Sequence, residues 1–394
     1  MQRKLAFKII YKTISDNSFT NLLMRKELDK LPQIQRGFVT NLVNGVLKNY
    51  DLLVYQHKYL YQKSSLRNSI ILSMATYEKL FLNEKDYVVN NEYVNLAESE
   101  FDKKFINAVI HKINILKYSD DEYINNSLPK WIYELLQKQY TSDELKIILN
   151  NYKRIPEVYY RINPNKCSIS DLSKFNINSI DNYSFTCNTS LINTEEFNNG
   201  FFYVQDINAS KLIDALDLKP NDIFLDACSA PGSKLFNALE IIKPTNAYAN
   251  DINEKRLDLI KQKANILGYN GVHYFCEDAS NLNKIIDNKF DKILLDVPCS
   301  GLGVIGRRND IKYHIKPENL DELQNIQANL LENVCELVND NGFILYSTCT
   351  LNKKENSKQV DNFINKHTNF KLIKSETILN DQGDMFYFAL LKKV

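Results

Sequence analysis

Two cysteines stand just past predicted strand ends, in Asp296-Val-Pro-Cys299-Ser-Gly-Leu-Gly303 and in Tyr346-Ser-Thr-Cys349-Thr350. The carboxyl edge of an open α/β sheet is where ligands bind. Two thiols converging there beside Asp296 suit the addition of a nucleophile to a ring and its later removal. Methylation of a pyrimidine ring carbon demands that sequence of events. Carbon 5 of a pyrimidine is a poor nucleophile, and a thiolate added at carbon 6 turns the ring into an enamine. A free thiol has a pKa near 8.5, so only about a few per cent is thiolate at neutral pH. A cation beside the attacking thiol is therefore expected, with Lys234 and Arg308 as candidates. Cys167, Cys187, Cys276 and Cys335 read as small buried hydrophobes, the usual fate of a free cysteine. No metal is expected, because no CxxC occurs and the five histidines are scattered.

The positioning elements follow from periodicity. From Asp206 onward, short apolar runs bounded by turn residues alternate with helical stretches. The runs are Asp222–Leu225, Ala247–Ala249, Val272–Phe275, Lys292–Leu295 and Phe343–Tyr346; the helices include Glu254–Leu267 and Leu320–Val338. Alternation of this kind predicts a mostly parallel, doubly wound Rossmann-like sheet over residues 201–394. The turn Asp226-Ala-Cys-Ser-Ala-Pro-Gly232-Ser-Lys234 lacks the GxGxxG pattern but brings small residues to a helix start, where backbone can approach a ligand. Asp251 ends the second strand, placed for two ribose hydroxyls, and Asp278 follows the third, placed for an adenine amino group. Together they describe an adenosine site without a phosphate cradle, which fits S-adenosylmethionine better than NAD.

Upstream, glycine and proline are scarce: only Gly37, Gly45, Pro32 and Pro129 precede Trp131. Ala6, Ile9, Ile10 and Ile14 share a helical face, as do Phe38, Leu42, Val43 and Val46. A helical bundle over residues 1–126 is predicted, leaving through the polar run 119–127. Residues 127–200 read as a small α/β connector, with a helix from Pro129 to Tyr140 anchored by Trp131 and a strand over Glu157–Ile162. Hydrophobic and charged contents of 44% and 25% are those of an ordinary soluble protein. No apolar stretch reaches membrane-spanning length and the start lacks a signal-peptide core, so a cytoplasmic protein with reduced thiols and no membrane partner is expected. A formal charge of +1 leaves a nucleic-acid partner open, since a local basic patch can be balanced elsewhere.

With these residues assembled, the chain resembles the Sun/Nop2 family of RNA cytosine carbon-5 methyltransferases. The resemblance rests on Tyr203-Val-Gln-Asp206, the Asp226–Lys234 turn, Asp296–Val304, Arg307-Arg-Asn-Asp-Ile-Lys312, and Tyr346–Thr350 with Glu355-Asn356. Residues 36–46 are similar to a NusB-type RNA-binding fold, a domain that marks the branch acting on 16S ribosomal RNA. Three departures stand out. Ser229, Ser233 and Leu235 replace the family's Ala, Gly and Thr in the turn; Asn309 stands where proline is usual; Asp384-Met-Phe replaces Asp-Gly-Phe.

The resemblance implies attack by Cys349, product release assisted by Cys299, and an adduct stabilised by Asp296. It implies S-adenosylmethionine held by Asp226, Cys228, Ser229, Ala230, Pro231, Gly232, Ser233, Lys234, Asp251, Arg256, Asp278 and Asp296, the Cys228 side chain itself packing. Arg307, Arg308 and Lys312, with Lys316, Tyr313 and His314 alongside, form an expected strip for 16S RNA backbone and stacking. A monomer is the default. A DNA cytosine methyltransferase is disfavoured, because that family attacks with its Pro-Cys cysteine. An amino-methylating enzyme is disfavoured too, because Val297-Pro-Cys stands where Pro-Pro-Tyr or Pro-Pro-Phe would. The remaining alternatives are the same chemistry on tRNA and a catalytically silent assembly factor.

Overall fold

Scarcity of turn-formers leaves the first part of the chain helical. The computed structural model describes residues 1–16, 18–61 and 63–394, which divide into two units. The first unit is Met1–Tyr140 together with Arg308–Ile315; the second is Thr141–Arg307 with Lys316–Val394.

In the helical unit the principal helices are Gln2–Ser15, Thr20–Leu28, Gln33–Lys48, Tyr50–Lys58, Leu66–Leu80, Asp86–Val94 and Glu100–Ile110. Ala6, Ile9 and Ile10 are buried with Leu42, Val43 and Val46, as their spacing predicts, while Ile14 and Phe38 pack at the rim of that core. Ser65 and Ser99 cap two of the helices through their side chains, each satisfying one amide that the helix start leaves without a partner. Glu78 is fully buried and compensated: the Arg3 guanidinium donates to it at 2.7 Å and the Tyr93 hydroxyl at 2.6 Å. Removal of one partner from such a group leaves a buried charge exposed to the full desolvation penalty. A short helix, Glu122–Asn125, forms inside the polar run expected to be a loop, and Lys130–Gln139 continues this unit. In the latter helix Ile132 and Leu136 are buried and Trp131 only partly so.

The expected RNA-facing strip is corrected by the segment Arg308–Ile315. Lys312 is only 5% exposed, and its ammonium donates to the carbonyls of Ser127 at 2.5 Å and Lys48 at 3.0 Å. Tyr313 donates its hydroxyl to Leu47 O at 2.6 Å. Carbonyls at the end of helix Gln33–Lys48 have no partner within the helix, and these two side chains supply donors. Burial lowers Lys312 to about 8. The sequence displays a charge; the fold turns it inward.

Among the described residues, all eleven strands lie in the second unit. β1 (Tyr159–Ile162), β2 (Asn178–Ser179), β3 (Ser184–Thr186) and β4 (Phe202–Val204) form an antiparallel sheet in the order β2-β3-β1-β4. The larger sheet contains β5 (Phe224–Asp226), β6 (Ala247–Asn250), β7 (His273–Phe275), β8 (Phe290–Asp296), β9 (Val338–Thr348), β10 (Phe370–Ile378) and β11 (Phe386–Lys393). Its order is β10-β11-β9-β8-β5-β6-β7, parallel from β9 to β7 and antiparallel at β11 and β10. Alternate residues feed two cores: Phe224, Leu294 and Leu345 one, Leu225, Ile293, Leu295, Ile344 and Tyr346 the other. A sheet buried on both faces reads as continuous apolar runs. The predicted helix Glu254–Leu267 forms within those bounds, whereas the other begins at Pro317 and ends at Val334. Among the described residues, no helix is long and apolar enough to cross a membrane.

Gly45 lies where helix Gln33–Lys48 meets Tyr77, and a Cβ there would stand 2.0 Å from the ring. Gly37, on the same helix, has nothing within 4 Å of that position. Gly45→Ala is expected to lower stability by about 1–3 kcal/mol through overpacking, and Gly37→Ala to raise it by roughly 0.5–1 kcal/mol through helix propensity. Thermal unfolding of the two variants checks both signs, and equal effects would contradict this packing.

Candidate active site

The chain runs β5→β6→β7 to one side of the sheet and returns to place β8 on the other flank of β5. Loops at the carboxyl ends of β5 and β8 therefore diverge, opening the crevice of a topological switch point. Parallel pairing puts Asp296 opposite Ser347 at the ends of β8 and β9, and the ladder continues with Val297 N donating to Ser347 O at 3.0 Å. Three residues beyond Asp296 and two beyond Ser347, the loops bring Cys299 Sγ within 3.2 Å of Cys349 Sγ.

Asp296 is fixed from two sides. Lys234 Nζ donates to its Oδ2 at 2.6 Å and Ser347 Oγ to its Oδ1 at 2.8 Å. Burial by itself would lower Lys234, yet Asp296, then Asp226 and the sulfur of Cys349, hold the ammonium above its ordinary value. Cys299 lies well above the usual thiol range. Its contact with Cys349 contributes most, then burial, then the charges of Cys349, Glu355 and Asp296.

The turn after β5 is built by backbone. Ser229 N donates to Asn250 O at 2.7 Å, and Gly232 takes φ +100°, a left-handed conformation open to glycine at little cost, to start the helix Ser233–Ala238. Ser233, the departure from the family pattern, is accommodated with its carbonyl accepting from Gln205 Nε2 at 3.0 Å. Asp251 accepts from Ala230 N at 3.1 Å and from Asn253 N at 2.9 Å, and Asp278 caps a short turn through Ser280 N at 2.9 Å. Asn250 ties the three loops together: its amide donates to Ala227 O and Glu277 O, both at 3.0 Å, and accepts from Glu277 N at 3.1 Å.

Asp226 is 1% exposed, and neither carboxyl oxygen has a hydrogen-bond partner of ordinary geometry among the described residues, although the Cys228 amide faces it. Burial pushes its carboxyl up to about 7 against the pull of Lys234. Cys228 packs on a sheet core, and burial pushes its thiol up as well.

Several expected site residues are thus gathered at one sheet edge: Asp226, Ser229, Ala230, Gly232, Ser233, Lys234, Asp251, Asp296, Cys299 and Cys349. Pro231 is exposed on the turn, and Arg256 is exposed on helix Glu254–Leu267. Arg307 keeps a half-exposed side chain, although its guanidinium is paired with Asp384 at 2.5 Å. Arg308 and Lys312 belong to the helical unit, where Arg308 lies 3.4 Å from Asp310. Sequence reasoning gave no role to Asn250, Ser300, Gln327, Ser347 or Thr350. Glu355 was visible only as part of a motif.

A doubly wound sheet with acids and paired thiols at the carboxyl ends of its parallel strands is that of a methyltransferase with a Rossmann-like fold. Comparisons with known proteins agree. Residues 213–387 match the family model described as 16S rRNA methyltransferase RsmB/F, and residues 1–114 match that of the NusB family. Residues 213–387 are thus a region of RsmB/F methyltransferase type, and residues 1–114 one of NusB type. The chain is 28% identical to the probable ribosomal RNA small subunit methyltransferase B of Bacillus subtilis, covering 94% of this chain and 89% of that one. The protein of the same name from Synechocystis is also 28% identical, covering 94% and 90%. The crystal structure of PH0851 shares the fold over 99% of both chains, with a TM-score of 0.79 at 21% identity.

A carboxyl raised to about 7 binds its proton more tightly folded than unfolded, where an aspartate titrates near 4. Its stabilising contribution is complete below pH 4 and is lost as pH rises through 7. Asp226→Asn removes that loss, so its gain in melting temperature over the parent is expected to be larger at pH 8 than at pH 5. Differential scanning fluorimetry without added ligand reads this directly. Equal gains at both pH values would show that no buried carboxyl is ionising there.

Proposed function

We propose that the protein transfers a methyl group from S-adenosylmethionine to carbon 5 of a cytosine in 16S ribosomal RNA. The observation that carries this reading is the pair of sulfurs 3.2 Å apart beside the Lys234–Asp296 ion pair, at the carboxyl edge of the sheet. The relatives' names and the family description point to small-subunit RNA as the substrate.

The residues fit the methyl donor. Asp226 is a buried carboxyl free to meet a cationic group, and Asp251 and Asp278 follow on the adjacent strands β6 and β7 to meet a ribose and an adenine. When bound, S-adenosylmethionine supplies an electrophilic methyl on a sulfonium. The chain's own groups supply the rest. The Cys349 thiolate adds to carbon 6, and the electron pair displaced from the ring double bond makes carbon 5 nucleophilic toward that methyl. Asp296, oriented by Lys234 and Ser347, accepts a hydrogen bond from the protonated face of the base. After transfer, the carbon 5 proton is lost to solvent, the carbon 6–sulfur bond breaks, and the pair returns to Cys349. Cys299, a neutral thiol at 3.2 Å, donates a hydrogen bond to that sulfur as its charge develops.

The base must be unstacked to reach such a site, at a cost on the order of a few kcal/mol. We assign RNA holding to the NusB-family helices and, near the site, to Arg307, whose half-exposed guanidinium keeps a face for phosphate beyond Asp384.

With methyl donor present, Cys299→Ser is expected to accumulate a covalent RNA adduct visible as a gel-shifted band, because release is slowed. Cys349→Ser should neither methylate nor crosslink, and an adduct formed by it would overturn the cysteine roles. Bisulfite sequencing of RNA from cells lacking the protein, before and after treatment with it, locates the product. A single new 5-methylcytosine in 16S RNA is expected. Marks confined to tRNA would replace the substrate, and no mark beside a working control enzyme would reject the catalytic reading.

A further inference from the structure

Glu355 lies beyond β9 with no exposed surface, and its carboxylate accepts four hydrogen bonds. Ser300 donates twice, from its amide at 2.9 Å and its hydroxyl at 2.6 Å; Asn352 and Gln327 each donate an amide N–H at 3.0 Å. Ser300 follows Cys299 directly, and Asn352 lies three residues past Cys349. The Ser300 and Thr350 hydroxyls are also 2.6 Å apart, and Gln327 reaches Pro298 O at 2.9 Å. One carboxylate therefore joins the two loops that carry the thiols.

These four donors are neutral, and burying an anion against neutral dipoles is expensive. A neutral acceptor could tie the same loops together without that penalty. The negative charge has a neighbour on which it can act: after the contact with Cys349 and burial, it adds to what disfavours ionisation of Cys299, which also faces Asp296 and the Tyr346 phenol. We propose that Glu355 is a positioning residue that sets the spacing of the two sulfurs and biases Cys299 away from the nucleophile's role. The inference rests on the cysteine roles given above.

The decisive readout needs neither RNA nor methyl donor. In a Cys349→Ser background, the rate of iodoacetamide modification of the Cys299 peptide is followed by mass spectrometry as a function of pH. Glu355→Gln should move the midpoint of that profile down by about one pH unit, making the reaction about threefold faster below it. The plateau at high pH should fall by about threefold, because a less basic thiolate is a weaker nucleophile. An unmoved midpoint with a raised plateau would mean that the loop merely opens, and would overturn the electrostatic role.

Ser300→Ala keeps the charge, cuts the hydroxyl links, and serves if Glu355→Gln does not fold. It should slow single-turnover methylation about tenfold, a loss of the size expected for misplaced reacting groups, with RNA affinity and the Cys299 midpoint unchanged. Full activity in Ser300→Ala would overturn the positioning role. A shifted midpoint together with adduct formation by Cys349→Ser would overturn the bias away from Cys299 assigned to Glu355.

Discussion

The 3.2 Å contact between the Cys299 and Cys349 sulfurs sets what the rest of the catalytic unit has to achieve, since the two residues are 50 positions apart. The contact is inherited from the parallel register of β8 and β9, which places Asp296 opposite Ser347. A slip of one residue would turn every side chain on one strand to the other face. Beyond the strands the backbone keeps the loops in step. Gly303 N donates to Cys349 O at 2.9 Å, and a Cβ on Gly303 would lie 2.8 Å from that oxygen and 2.1 Å from Met385 O. Only glycine leaves room for the two loops and the Met385 chain to meet.

Charge is the second constraint, and each acid at this edge is handled differently. Asp296 has an ion pair, Asp251 has backbone amides and Glu355 has neutral side-chain and backbone donors. Asp226 has only the Cys228 amide facing it among the described residues, and its carboxyl is pushed up by burial. Such an edge lowers the stability of the ligand-free fold, because unpartnered polar groups in low dielectric are costly. Under the proposed function, a cationic, adenosine-bearing donor would meet groups that the ligand-free fold leaves unsatisfied. Perturbed ionisable groups gathered in a crevice are the ordinary mark of such a site.

Much of the architecture was readable because parallel strands buried on both faces are apolar runs, as at Ala247–Ala249, Lys292–Leu295 and Phe343–Tyr346. β10 and β11 were not singled out. β10 is an edge strand whose Lys371, Ser375 and Glu376 face solvent, so it lacks the apolar signature of the central strands. Lys312 was misplaced for a complementary reason: a lysine reads as surface, and only packing shows that helix-end carbonyls await its ammonium. Glu355 was legible as part of a motif but not in its role, because its partners Ser300 and Gln327 lie on other elements.

The sequence by itself determined the alternation of strand and helix, the helical character of the first part, and which residue types end the strands. Those are local properties, written in spacing and in the placement of glycine and proline. Tertiary structure decided which strand ends become neighbours, that Lys312 turns inward while Asp226 is buried, and that a single carboxylate spans both cysteine loops. These depend on register and burial, which arise from contacts between residues tens to hundreds of positions apart, where no local pattern records them.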